Sequence, residues 1–192
     1  MPCGRPTPSW LIGSYPRLFS KLNALDYLNL RLTGRCLATY DSILTSWVSD
    51  NRDTSNVVYS DVLVRGCGIA REKFPEIVKC TDVIGRLRPE VATAIGLSPE
   101  VAVVAGAIDS TAAAIGSGAV RDYETHLYIG TSSWLAAHVP FKKTDIMSAL
   151  ASVPCAIPDR YLLIALQATA GGNLTFLRDK ILYHKDELLQ EA

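Results

Sequence analysis

The 192-residue sequence predicts interleaved strands and helices, α/β or α+β in class. Three segments carry that prediction. A short β-branched run, VAVVAGA, passes through Asp109 into the alanine-rich STAAAIG. Two apolar runs, HLYI and WLAAHV, are separated only by the polar GTSS. A third run, YLLIALQ, leads into the amphipathic stretch AGGNLTFLRDKILYHKDELL. The order is strand–helix, then strand–strand–strand–helix, with no internal repeat. At this length that fits one ordinary domain or two small ones.

The elements follow in chain order. The opening MPCGRPTPSWLIG carries Pro2, Pro6 and Pro8 and lacks the basic-then-apolar pattern of a signal peptide. LFSKLNALDYLNLRLTG sets Leu18, Leu22, Leu25, Leu28 and Leu32 three or four apart, the apolar stripe of one helix, and Gly34 supplies its stop. Residues 41–65 show only weak helical periodicity around a polar middle. IAREKFPEIVKC reads as a helical turn broken at Pro75. VIGRL predicts a short strand, followed by a helix with Pro89 in its first turn. VAVVAGA predicts a buried strand and STAAAIGSGAV a helix. HLYI and WLAAHV predict a hairpin closed by GTSS. A looser segment around Pro140, Pro154 and Pro158 precedes YLLIALQ. In the last stretch Leu174, Leu177, Ile181 and Leu188 share a helix face, with Leu182 flanking it.

Composition narrows the function classes. Lysine plus arginine number 19 and aspartate plus glutamate 19, so no nucleic-acid partner is expected. Apolar residues make up 48% and charged residues 20%, which excludes a disordered or collagen-like chain. The longest apolar stretch, 101–120, is interrupted by Asp109 and by glycines, whereas a membrane span needs about 18 consecutive apolar residues. No membrane partner is expected. Cys3, Cys36, Cys67, Cys80 and Cys155 form no C-x-x-C pair, so a reducing, cytoplasmic setting is expected. Zero net charge and a mean hydropathy of +0.17 point to apolar surface left for more protein, and a homo-oligomer is expected.

Three groups of residues suit chemistry. Asp109 stands where a strand ends and a helix begins. There its carboxylate either caps the helix or stays ionised against the free N–H groups and serves as a base. Gly130, Thr131 and Ser132 make either an ordinary hairpin turn or an anion cradle of successive donors. Gly171 and Gly172 either open a helix start to a nucleotide or form a loop ahead of an Asn173 cap. His126 and His138 lack a third ligand nearby, so no metal site is expected there. Lys142 and Lys143 suit a solvated loop or a phosphate contact. Trp10, Trp47 and Trp134 read as packing residues, and Arg178 with Asp179 as a surface pair.

By their order and spacing, VVAGAIDSTAAAIGSGAV, HLYIGTSSWLAAHV, TAGGNLTFLRD and the upstream DYLNLRLTGR resemble the FGGY family of carbohydrate kinases, most closely its xylulokinase-like members. The resemblance runs from about residue 6 to the C-terminus. It implies part of an actin-like ATPase (ribonuclease H-like) α/β fold. Residues 1–118 would be the C-terminal part of the first, sugar-binding domain, and 119–192 the N-terminal part of the second, nucleotide-binding domain. The implied activity is ATP-dependent phosphorylation of a hydroxyl on a ketopentose such as xylulose, or a related polyol, with Mg2+ accompanying ATP. Asp109 would be the general base and Gly130, Thr131 and Ser132 the phosphate turn. Gly171, Gly172 and Thr175 would lie on the nucleotide side. The family's common Gly-Asp-Gln stands here as Ile108-Asp109-Ser110. The family's Asp-x-Gly-Thr loop is not found before Trp10, nor its adenine-closing segment after Ala192, so an internal piece, inactive alone, is expected. Two rivals remain: a non-catalytic truncated chain, and an actin-like ATPase of structural or chaperone type, which would activate water and need no hydroxyl base.

Overall fold

The computed structural model describes residues 22–182. Leu18, Trp10, Cys3, Leu188 and the N-terminal prolines lie outside the described residues. Two compact units are formed. The first takes the described residues through Asp50 together with Val58–Gly106, and the second takes Asn51–Val57 and the described residues from Ala107 onward.

In the first unit, helix α1 (Ala24–Thr33) stops where expected: Gly34 adopts φ +80°, and its N–H donates to the Leu30 carbonyl at 2.8 Å. Its buried residues are not the leucines. Asp26 and Asn29 are the buried positions, while Leu28 is 57% exposed. The reason is local demand for hydrogen bonds. Asp26 accepts from the Asn23 N–H and from the Ser42 hydroxyl, and Asn29 Nδ2 donates to the Ala105 carbonyl at 2.7 Å. Leu32 alone of the described stripe packs on the core of Leu37, Ile84, Leu87, Ala92, Val103 and Ala105.

The strands of this unit are short. β1 (Leu37–Thr39) pairs in parallel with β4 (Glu76–Val78), so the segment after Pro75 is a strand rather than a broken helix. β2 (Ser49–Asp50) pairs with β3 (Val58–Tyr59), and β5 (Val83–Arg86) with β6 (Ala102–Val104), both antiparallel. β6 is only half buried: Val103 and Ala105 face inward, and Val104 is exposed. Helices α2 (Asp61–Gly66) and α3 (Pro89–Ile95) complete the unit, with Pro89 in the first turn of α3. Trp47, expected to pack, is 83% exposed, held at φ 59° after the 3-10 turn Ser42–Ser46.

The second unit is built on one antiparallel sheet. β7 (Thr125–Ile129), β8 (Ser133–Val139), β9 (Thr144–Asp145), β10 (Leu150–Pro154) and β11 (Tyr161–Gln167) lie in the order β7-β8-β11-β10-β9. The segment between Pro140 and Pro158 therefore supplies two strands that its prolines concealed; Pro154 simply ends β10. Helix α4 (Asp109–Gly116) lays Ala114 on a core of Ala136, Cys155 and Leu162. His138 is fully buried, and its Nδ1 meets the Ala119 carbonyl at 2.7 Å. Residues 51–57 are pinned to this unit by the Tyr161 hydroxyl donating to the Arg52 carbonyl at 2.7 Å and by Lys142 Nζ donating to Asn51 Oδ1 at 2.6 Å. Lys142 is thus a tether. In the last described stretch α5 (Gly171–Phe176) passes into a π-helical turn, Leu177–Leu182, and Leu174, Leu177, Ile181 and Leu182 are all exposed. Among the described residues no helix is long and apolar enough to cross a membrane.

Candidate functional site

The hairpin β7–β8 closes through three residues, because Ile129 pairs with Ser133. Ser133 begins the strand, which leaves Gly130, Thr131 and Ser132 as the loop. Its carbonyls are committed. The Gly130 carbonyl accepts the Gly171 N–H at 2.7 Å, and the Thr131 carbonyl accepts the Ala170 N–H at 2.8 Å. The Gly130 N–H is also used, donating to the Ser132 carbonyl at 2.8 Å. Among the described residues, no hydrogen bond engages the N–H or hydroxyl groups of Thr131 and Ser132. Acceptors tied back and donors left outward make a surface that suits an anion.

Two segments 41 residues apart in the chain are therefore joined here, the loop at Gly130 and the helix start at Gly171. Glycine is required at the junction. A Cβ on Gly171 would sit 2.5 Å from the Gly130 carbonyl oxygen, closer than any side chain tolerates. Gly172 has more room, its nearest neighbour being the Thr131 carbonyl oxygen at 3.8 Å. The cap of α5 is Ala170, not Asn173; the Asn173 amide instead donates to Thr169 Oγ1 at 3.0 Å. Thr175 is exposed on α5.

Asp109 is the first residue of α4, with Ile108 in the cap position. Its carboxylate is exposed and Oδ1 accepts the N–H of Ser110 at 2.7 Å. The side chain thus serves a first-turn N–H without occupying the cap, and Oδ2 remains for another proton donor. Two residues on, the Thr111 hydroxyl is fully buried and has no hydrogen-bond partner among the described residues.

Sequence reasoning passed over Tyr128 and Ala170. Tyr128 lies directly across from Trp134 in the hairpin register, and their rings stack at 4.5 Å and 25°. The signal was present: once the loop is counted as three residues, aromatic opposes aromatic. Arg178 and Asp179 form an exposed pair, Nε to Oδ1 at 2.5 Å, as expected of a helix surface. Among the described residues no group of three His, Cys, Asp or Glu side chains is placed to hold a metal ion.

Comparison with known proteins places these elements. A family model described as the FGGY family of carbohydrate kinases, N-terminal domain, matches residues 9–116. The chain is 31% identical over 170 residues to xylulose kinase of Escherichia coli strain K12, covering 86% of this chain and 34% of that protein. It is 33% identical over 170 residues to xylulose kinase of Klebsiella pneumoniae, with 86% and 34% covered. Among solved structures, a xyloylose kinase from Brucella ovis superposes with a TM-score of 0.76 at 26% identity, over 87% of this chain and 35% of that one. Xylulose kinase from Rhodospirillum rubrum shares the fold, with a TM-score of 0.80 at 22% identity, over 93% and 37%. The architecture is accordingly part of the actin-like, ribonuclease H-like α/β fold. The chain spans about a third of the length of the curated relatives it matches.

Proposed function

The chain belongs to the FGGY family of carbohydrate kinases, and from that premise we propose that it supplies the phosphate turn and the general base of an ATP-dependent sugar kinase. The acceptor would be a hydroxyl of a ketopentose such as xylulose, or of a related polyol. The observation that carries the reading is the Gly130–Ser132 loop, whose carbonyls are tied to Ala170 and Gly171 while the Thr131 and Ser132 donors stay free. In this proposal those donors hold the phosphates of ATP, with Gly172 and Thr175 on the nucleotide side. Gly171 acts by letting the loop and the helix start meet.

Asp109 takes the proton of the sugar hydroxyl as its oxygen attacks the γ-phosphorus and the bond to ADP breaks. Phosphoryl transfer asks mainly for positioning and charge stabilisation, and an exposed carboxylate at a helix start fits the proton-accepting part. Mg2+ belongs to the substrate complex with ATP. Among the described residues no cluster of His, Cys, Asp or Glu suits a resident metal.

We infer the passage from the family's sugar-binding to its nucleotide-binding domain at 118/119, twelve residues past the Gly106/Ala107 division of the two compact units, a reading supported by the family match ending at residue 116. Because the relatives are about three times as long, the 192 residues alone are expected to show negligible turnover. A self-association role is also proposed, supported by the exposed Leu127, Ile129 and Leu135 along the hairpin. Light scattering at low micromolar concentration checks it, a compact monomer being the contrary result.

The test of the main reading is calorimetric titration of the chain with Mg·ATP and with inorganic pyrophosphate, alongside Thr131→Val and Ser132→Ala. Binding that both substitutions weaken supports the phosphate turn. Equal binding by all three proteins overturns it. For the kinase containing this chain, ADP release that requires a sugar separates this reading from a structural or chaperone-type ATPase, which would release ADP without one.

A further inference from the structure

We propose that Tyr128, backed by Trp134, is a positioning residue that braces the Gly130 loop and thereby fixes the Thr131 and Ser132 donors; this rests on the reading of that loop as the phosphate turn. The first observation concerns the glycine. Gly130 is not in the left-handed region that favours glycine, since its φ lies outside +20° to +160°. Its backbone would suit other residues. What excludes them is space: a Cβ there would lie 2.6 Å from the Tyr128 hydroxyl oxygen and 2.9 Å from Cε1 and from Cζ of the same ring. The phenol occupies the room that a side chain at position 130 would need.

A tyrosine tip normally moves aside at little cost. Here its ring is held from behind. Tyr128 pairs across the ladder with Trp134, and the two rings stack with centroids 4.5 Å apart and 25° between planes. Displacing the phenol would forfeit that stacking. The indole packs on the sheet side: its Nε1 is buried, with no hydrogen-bond partner among the described residues, and Trp134 sits in register with Leu166 on β11. Contacts thus run from the sheet through Trp134 and Tyr128 to Gly130, and from the Gly130 carbonyl to the Gly171 N–H. The loop is clamped on both sides, by an aromatic pair on one and by the start of α5 on the other.

The brace predicts a dependence between two positions. Gly130→Ala should weaken pyrophosphate binding about three- to tenfold, the range an aromatic contact supplies. Tyr128→Ala should weaken it by a similar factor, because the loop loses its support, whereas Tyr128→Phe keeps ring and stack and should stay within about twofold. The double variant Gly130→Ala/Tyr128→Ala should be no weaker than Tyr128→Ala alone, since the obstacle to the methyl group is gone. Equal and additive losses in the double variant would overturn the proposal.

A ligand-free readout separates this from the parent reading. In the full chain, amide hydrogen exchange at Thr131 and Ser132 should accelerate in Tyr128→Ala and not in Tyr128→Phe, while Ala136 and Leu162 in the sheet keep their protection. Unchanged exchange at Thr131 and Ser132 in Tyr128→Ala overturns the brace. If no protein binds pyrophosphate but the exchange pattern appears, the phosphate assignment fails and the brace stands.

Discussion

The first unit buries Asp26, Asn29, Thr39, Asp41, Ser42 and Ser46 among strands of two to four residues, whereas the second buries His138, Thr111 and Ser152 beside ladders of up to seven. The difference follows from where backbone groups find partners. Short strands leave their ends without a ladder, so side chains fill in. The Thr39 N–H donates to Ser42 Oγ at 2.9 Å, the Ser42 N–H to Thr39 Oγ1 at 3.2 Å, and Asn23 Nδ2 to the Ser42 carbonyl at 2.7 Å. In the second unit the long ladders satisfy the backbone. Fewer polar side chains are buried there, and Asp109, Thr131 and Ser132 are left unburied. Among the described residues, six polar side chains are buried in the first unit and three in the second.

The strongest way to sharpen this contrast is at Asp109. In the kinase containing this chain, Asp109→Asn should lower turnover by about 100- to 10,000-fold with nucleotide affinity nearly intact, because the amide keeps the shape and accepts no proton. Steady-state kinetics with the best sugar measures it, and the melting temperature should hardly move. Turnover close to the parent's would return Asp109 to a purely structural role.

Next in size is the apolar core of the second unit. Leu162 is fully buried against Ala114 and Ala136, so Leu162→Ala should cost about 2–5 kcal/mol by denaturant unfolding. In the first unit the matching deletion is polar. Ser42→Ala leaves the buried Asp26 carboxylate without its 2.8 Å donor and the Thr39 N–H without an acceptor, and should cost about 1–3 kcal/mol. If Ser42→Ala proved neutral, the polar network would be decoration and the contrast between the units would fail.

The smallest effect is also the most discriminating, for the two units should answer acid in opposite directions. Burial pushes the Asp26 carboxyl above its usual 3.8, despite the Ser42 hydroxyl and the Asn23 and Thr39 backbone that lower it. Stability from its protonated form is complete below about 3.8 and is lost as pH rises through the folded value. Burial pushes His138 below its usual 6.5, against the Ala119 carbonyl and the Asp122 charge that raise it. As pH falls past 6.5 the unfolded chain takes up a proton that the folded one resists, so stability present above 6.5 is lost towards the folded value. Native-state exchange from pH 7 to about 4.5, corrected for intrinsic rates, should show protection rising at Ala38 and falling at Leu162. Parallel trends at both amides would contradict it.

Much of the second unit was determined by sequence alone. Short apolar runs and the polar turn between two of them marked β7, β8 and β11, and the strand–Asp–helix passage marked Asp109, because such signals depend on neighbours in the chain. Pro89 and Gly34 likewise set the start of one helix and the end of another through their own backbone preferences. What only tertiary structure decided are the pairings between distant segments. Leu28 outside and Asp26 inside reverse the apolar stripe of α1, because a buried carboxylate that finds Ser42 sixteen residues away outweighs local periodicity. β10 was hidden by prolines and became a strand through its partner β11. The proposed phosphate turn is the clearest case. In the sequence Gly130 suits a turn or an anion cradle and Gly171 a loop or a helix start open to a nucleotide, and only the fold brings the two together, with one carbonyl filling the space that a Cβ would take.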